Sequence, residues 1–193
     1  MKTRWMAWLA AVVISPVFAQ DQTVLTEDDV WKLYSSADVK IGEVGEEAMA
    51  SAGISAGGIL NDTCFIGIRY GINLDESSVD GPPFATIDSY GMSTLGLETG
   101  YILIPSDVLH VQFGLGAGGG DVDVQYKNHD ESAETSYFGY IEPAVDALVN
   151  LTDTCEIGVG VSYRWCFGTS LASFDDEDLS SFQGRLMVRF HQF

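Results

Sequence analysis

The sequence predicts an all-β fold, an eight-stranded antiparallel up-and-down transmembrane β-barrel, and three observations carry that expectation. From Thr154 to Gly168, Cys155, Ile157, Val159, Val161, Tyr163, Trp165 and Phe167 are apolar or aromatic, while the residues between them, Glu156, Gly158, Gly160, Ser162, Arg164, Cys166 and Gly168, are mostly small, polar or charged. Unbroken period 2 over this length, with a charged and glycine-rich second face, suits a wall between lipid and a polar lumen better than a strand over a dry core. Seven further segments repeat the alternation, giving the even strand number of such barrels. Finally, tight turns at Asn61–Thr63, Pro105–Asp107 and Thr152–Thr154 alternate with long acidic connections at Asp75–Tyr90, Lys127–Thr135 and Ala172–Ser181. Barrels of this kind keep short turns on one side of the membrane and long loops on the other, an asymmetry a soluble sandwich has no reason to show.

Along the chain, residues 1–19 carry Lys2 and Arg4, an apolar run from Trp5 to Ile14, and the small-residue exit Val17-Phe18-Ala19. These are the three regions of a secretory signal peptide, with cleavage expected after Ala19. The apolar run is shorter than the roughly 20 residues a spanning helix requires, so a closed barrel is the form any membrane structure would take. Residues 20–37 are polar and lack alternation. Thr26 with Asp29 resembles a helix start ahead of Val30, Trp31, Leu33 and Tyr34, so a periplasmic arm or a short helix is expected there.

The barrel is expected over 38–193. Its strands begin with a brief one at Val39–Val44 and a small-residue one at Glu46–Leu60, followed by Cys64–Leu74, Gly91–Leu103, Leu109–Tyr126, Ser136–Leu151, the Thr154–Gly168 strand and Phe182–Phe193. The alternation turns Arg69, Glu98, Glu142, Asp146, Glu156, Arg164, Arg185 and Arg189 inward as a charge network. Tyr70, Tyr101, Tyr163, Trp165 and Phe167 face outward as a lipid-facing aromatic girdle. Gly67, Gly71, Gly96, Gly100, Gly114, Gly116, Gly118, Gly158 and Gly160 share the inward phase. They read as packing space for a salt-bridged filling, and alternatively as a pocket or narrow passage.

The whole chain has 9 basic and 28 acidic residues, a formal charge of -19. Loss of residues 1–19 would leave seven basic residues against the same 28 acids. Such a balance excludes nucleic acid as a partner; the acidic loops suit bridging by divalent cations, the alternative being solvated, self-repelling loops. The near repeats NDTCFIGI (Asn61–Ile68) and TDTCEIGV (Thr152–Val159) raise a Cys64–Cys155 disulfide, but the third and seventh strands of a barrel lie on opposite walls, beyond the reach of such a bond.

With Gly96-Leu97-Glu98, Glu142-Pro143 and Gly160–Arg164 in this order, the region from Val39 to Phe193 resembles the small eight-stranded outer-membrane barrels of Gram-negative bacteria, of the OmpA/OmpX-like type. The resemblance implies an outer-membrane location, outer-membrane lipid and lipopolysaccharide as surroundings, and the barrel assembly machinery as a partner during biogenesis. It brings no catalytic residue and no cofactor. The terminal Phe193 looks like the family's assembly signal. Met187, Arg189 and His191 break its usual apolar phase, so a bulge near Gln192 or an overhanging end is expected.

No enzyme is expected. His110 and His191 fall on strands near the expected periplasmic side, and Ser132, His129 and Asp130 have the right residue types for a triad but are loop neighbours too close in sequence to reach triad geometry. The expected role is structural or one of surface interaction, the alternative being passage of a small solute or hydrophobic ligand.

Overall fold

The computed structural model describes residues 30–45, 47–74, 87–104, 108–126, 133–170 and 175–191. They form β1 (Trp31–Val44), β2 (Glu47–Leu60), β3 (Cys64–Asn73), β4 (Ile87–Leu103), β5 (Leu109–Tyr126), β6 (Ala133–Thr152), β7 (Cys155–Phe167) and β8 (Ser181–His191). Each strand pairs antiparallel with the next, and β8 pairs with β1 to close the barrel. The stagger can be followed through the registers. Trp31 faces Leu60, which is four residues before Cys64; Cys64 faces Tyr101, Tyr101 faces Phe113, Phe113 faces Val145, Val145 faces Val161 and Val161 faces Gly184. Leu60 and Cys64 are themselves partners, and Gly184 faces Ile41, ten residues beyond Trp31 on the starting strand. A stagger of ten over eight strands tilts them by about 40–45° and leaves an interior just wide enough for side chains to fill.

One hairpin shows how the tight turns are made. Asn61 (φ 52) and Asp62 (φ 58) are both left-handed, the conformation a short hairpin turn needs, and Asn and Asp tolerate it best after Gly.

β1 differs from expectation. It begins at Trp31 rather than Val39, so residues 31–37 belong to the barrel and form neither arm nor helix. Val30, Trp31, Leu33 and Tyr34 have helix-like spacing, but Tyr34, Ser36, Asp38 and Lys40 are buried on one face in period 2, and β1 is paired on both edges. Ladder hydrogen bonds on two sides override weak local preference. The expected signal peptide and residues 20–29 lie outside the described residues, as do Gln192 and Phe193. β4 and β6 also start earlier than their apolar alternation, at Ile87 and Ala133, by pairing with the upper part of β5.

The interior is layered. At the end of the long connections, Val44, Met49, Tyr90, Met92, Val122, Val124, Phe138, Tyr140, Cys166 and Leu179 form a buried apolar cluster. The charged residues lie below it, and Tyr34, Ile59, Phe65 and Ile102 form a smaller apolar cluster toward the tight-turn end. The filling is therefore only partly polar.

Candidate functional site

Strand alternation brings ten charged side chains from six strands into the lumen, five cationic and five anionic. Lys40 of β1 and Arg164 of β7 both engage Glu142 of β6, the latter through Nε at 3.3 Å from Oε2. Arg69 of β3 grips both oxygens of Asp38, with Nη2 donating to Oδ1 at 2.6 Å. Arg185 of β8 grips Asp146 in the same way, Nε donating at 2.9 Å, and Gln112 donates to the same carboxylate at 3.2 Å. Arg189 pairs with Glu156 at 3.5 Å, donates to Gln112, and lies 5.3 Å from the Tyr34 ring centre and 5.5 Å from that of Phe65. Glu98 accepts the Tyr34 hydroxyl at 2.7 Å. Buried ions hold together only when each carries a partner and its remaining protons are bonded. Each of the five cations has a carboxylate partner here, while Arg189 keeps its buried Nε–H without a hydrogen bond.

The sequence-derived residues Glu142 and Arg164, Asp146 and Arg185, and Glu156 and Arg189 are brought into contact. Arg69 points into the lumen, lines one small void with Glu98 and Glu142, and takes as its ion-pair partner Asp38, a residue outside the expected network. Sequence reasoning missed Asp38, Lys40, Tyr34, Gln112 and Gln183. Tyr34 and Asp38 lie in phase on a strand read as starting only at Val39, Lys40 falls inside that brief strand without being assigned to the lumen, and the amides carry no charge to signal them.

The inward glycines accommodate bulky neighbours: Gly67 lies against the Tyr34 hydroxyl, Gly96 against that of Tyr140, Gly100 against the Phe65 ring and Gly120 against the Phe138 ring. Gly114 and Gly116 alone among the inward glycines of β5 border open space, a void of about 20 Å³ lined also by Arg69, Glu98, Gln112, Glu142 and Arg185. A second void of about 10 Å³ touches Arg69, Glu142 and Arg164. Each has room for a water molecule or less. The larger space, about 410 Å³, is a vestibule at the tight-turn mouth with Lys32, His110, Asn150, Glu156 and His191 on its wall. His110 and His191 direct Nε2 toward Glu156 at 3.5 and 3.3 Å. The Ser132, His129 and Asp130 loop lies outside the described residues.

On the outside, Tyr70, Tyr101, Trp165 and Phe167 are exposed, and Tyr163 is half-covered by the Phe182 ring at 4.8 Å. The three cysteines are free: Cys64 is exposed on the outer wall, Cys155 is half-buried, and Cys166 is buried with its thiol directed to the Leu179 carbonyl at 3.3 Å. No Cys64–Cys155 bond forms. Near the rim, slight desolvation raises the Asp176 carboxyl, but the N–H groups of Thr169 at 2.7 Å and Gly168 at 3.1 Å outweigh it and hold the group below its usual range. Its contribution to this turn is therefore present above the ordinary carboxylate range and lost as pH falls through the lowered value.

No protein-family model matches the chain, and no curated protein matches it. Solved structures do. Neisserial surface protein A superposes with a TM-score of 0.61 at 14% identity, covering 85% of this chain and 99% of that one. A major outer membrane protein from Thermus thermophilus gives 0.62 at 12%, covering 84% and 100%. Ail, the attachment invasion locus protein of Yersinia pestis, solved in complex with the heparin analogue sucrose octasulfate, gives 0.50 at 9%, covering 86% and 98%. At these identities the likeness is one of architecture, and the chain has the closed eight-stranded antiparallel fold of small outer-membrane β-barrels.

Proposed function

We propose that the chain is an integral outer-membrane β-barrel whose filled, charge-balanced interior anchors an acidic surface, with a structural or surface-interaction role and no enzymatic one. The carrying observation is the distribution of charge. Among the described residues, every cation has the inward phase of its strand, five in the lumen and Lys32 at the tight-turn mouth, while the outer faces of the strands between the rims form an uncharged apolar belt. On β7 the belt runs from Ile157 to Phe167. At about 3.3 Å per residue and a tilt near 43°, that is a height of about 24 Å, the thickness an outer-membrane barrel presents to lipid. A soluble protein would gain nothing from hiding its cations and exposing its Leu, Ile and Val. The aromatic residues Tyr70, Tyr101, Tyr163, Trp165 and Phe167 serve in this reading as the girdle, and residues 1–19 as the export signal.

The test joins two measurements. The chain refolded in detergent is expected to shift on an unheated gel relative to a boiled sample. In planar lipid bilayers it is expected to give no steady channel openings, because the lumen is occupied from the Glu142 level to the apolar cluster. Regular conductance steps would favour the solute-passage alternative and discard the filled-barrel reading.

At the long-connection end, Glu43, Glu47, Asp121, Asp123 and Asp175 to Asp178 gather carboxylates outside the lumen. This surface would repel a polyanion such as the one bound to Ail, and instead suits Ca²⁺ or Mg²⁺ bridging to the phosphates of lipopolysaccharide. Calorimetry of the refolded barrel is expected to show heat with millimolar Ca²⁺ that about 0.5 M NaCl does not abolish, a salt level chosen as roughly three times physiological. A flat titration removes the bridging idea.

A further inference from the structure

Strand alternation gives the vestibule at the tight-turn mouth, about 410 Å³, two unlike sides. On β2 and β4 it is walled by Ile59 and Ile102, and on β5, β6 and β7 by His110, Asn150 and Glu156. The next inward residues behind this ring, Tyr34, Gln112, Leu148 and Arg189, are buried, so the vestibule ends on a packed layer. At the rim stand two aliphatic side chains, Val108 and Leu151, and two carboxylates from tight turns, Asp62 and Asp153.

The polar side is rich in acceptors. His110 is 3% exposed, its Nε2 lies 3.5 Å from Glu156, and its Nδ1 is buried without a hydrogen bond. With the ring proton on Nε2, beside the carboxylate, Nδ1 is an acceptor that lacks a donor, a costly state for a buried atom. The nitrogens of Arg189, His110 and His191 stand 3.3–3.5 Å from the Glu156 oxygens, longer than the roughly 2.7–2.9 Å of a tight charge-assisted bond, so this carboxylate keeps capacity to accept. The fixed cations are already engaged, Lys32 by Asp62 at 2.7 Å and Arg189 by Glu156, while Asp153 adds a carboxylate to the rim. Both the hydrogen bonding and the charge therefore call for a cationic donor. Among the described residues no three His, Cys, Asp or Glu side chains are arranged to hold a metal ion, so the cation that fits is one held by hydrogen bonds.

We propose that the vestibule binds a primary alkylammonium ion, its head among His110, Asn150 and Glu156 and its stem along Ile59 and Ile102 toward Val108 and Leu151. An ammonium head is three donors and no acceptor, the complement of this wall. The aliphatic side chains give a short methylene stem a surface to leave water, which distinguishes an organic amine from a bare inorganic cation. The volume lies within the range of small-molecule pockets, about 300–1,000 Å³. An anionic head would face Asp62, Asp153 and Glu156, and a quaternary ammonium carries the charge without an N–H to offer. The site needs only the closed barrel and its tight-turn mouth, whatever surrounds the outer wall.

The histidines report on occupancy. The full chain is refolded into phosphatidylcholine nanodiscs with carbon-13 in its histidine rings, and the His110 signal is assigned with His110→Phe. At about pH 8, above the ordinary imidazole range, pentylammonium is expected to shift His110 in a saturable titration. Pentyltrimethylammonium, with the same stem and charge but no N–H, is expected to bind at least about tenfold more weakly. Methylammonium, which lacks the stem, should lose a similar factor, and pentanoate should leave His110 in place. Glu156→Gln is expected to weaken pentylammonium by at least about tenfold. If that variant fails to give a heat-shiftable barrel, Asp153→Asn on the exposed turn carries the test, with a loss of about threefold. An unmoved His110, equal binding of pentylammonium and pentyltrimethylammonium, equal binding of methylammonium, or undiminished affinity in the folded variants would each overturn the proposal.

Discussion

Glu142→Leu is expected to destabilise the folded barrel by about 3–5 kcal/mol, the cost of leaving buried ions without their counter-charge. Glu142 is the shared acceptor of Lys40 and Arg164, and all three side chains are less than a tenth exposed. Removing the carboxylate leaves two cations facing one another in a space that the neighbouring small voids can wet only slightly. The loss should not reflect a large net worth of the ion triad itself. Lys40→Met, Glu142→Leu and Arg164→Met combined are expected to recover most of the stability, because desolvating three ions costs about as much as their attraction returns. A calibration lies at the tight-turn end, where Lys32 and Asp62 pair at 2.7 Å with Asp62 half exposed. Asp62→Asn there is expected to cost under about 1 kcal/mol. Urea titrations of folding into lipid vesicles, read by the gel shift, measure all three. A Glu142→Leu loss no larger than that of Asp62→Asn would mean that water reaches the lumen freely and that the ion pairs do not organise it.

Period 2 made the walls legible because lipid and lumen demand opposite chemistry on alternate residues, and on β7 the demand is met at nearly every position. The same rule failed where the demand relaxes. On β1, Ser35, Ser36 and Ala37 are small on both faces, so the alternation of Trp31 and Leu33 against Lys32 and Tyr34 went unread and Tyr34 and Asp38 were lost from the network; Lys40, inside the brief strand, had too few alternating neighbours to give it a face. Near the rim the pattern inverts: Val122 and Val124 are buried while Asp121 and Asp123 face outward, since beyond the belt the outside is water and the inside is the apolar cluster. A reading that assumes lipid outside everywhere assigns such residues to the wrong environment. Pairing inside the lumen was illegible for a different reason. Arg69 could reach Glu98 on the neighbouring strand, but its choice of Asp38 depends on the ten-residue stagger, which the sequence does not display.

Val161→Arg should separate a lipid-facing belt from an ordinary exposed surface. Val161 lies midway along the outer face of β7 and is 60% exposed in the isolated chain. On a soluble protein an arginine there is a surface substitution, worth within about 0.5 kcal/mol of nothing. At the middle of a bilayer it costs about 2–4 kcal/mol, because the guanidinium must drag water or headgroups into hydrocarbon. The companion is Ala48→Arg on β2, at the rim, where Glu47 precedes it and Glu43 faces it in the register. There the new cation meets water and carboxylates, so the expected cost is only about 0–1 kcal/mol. Folding free energies into phosphatidylcholine vesicles give the comparison directly. A difference near about 3 kcal/mol assigns the belt to lipid, and equal small effects would leave the uncharged outer wall without a membrane to explain it. The position dependence matters more than either value, since simple loss of β propensity at Val161 lowers stability without depending on depth.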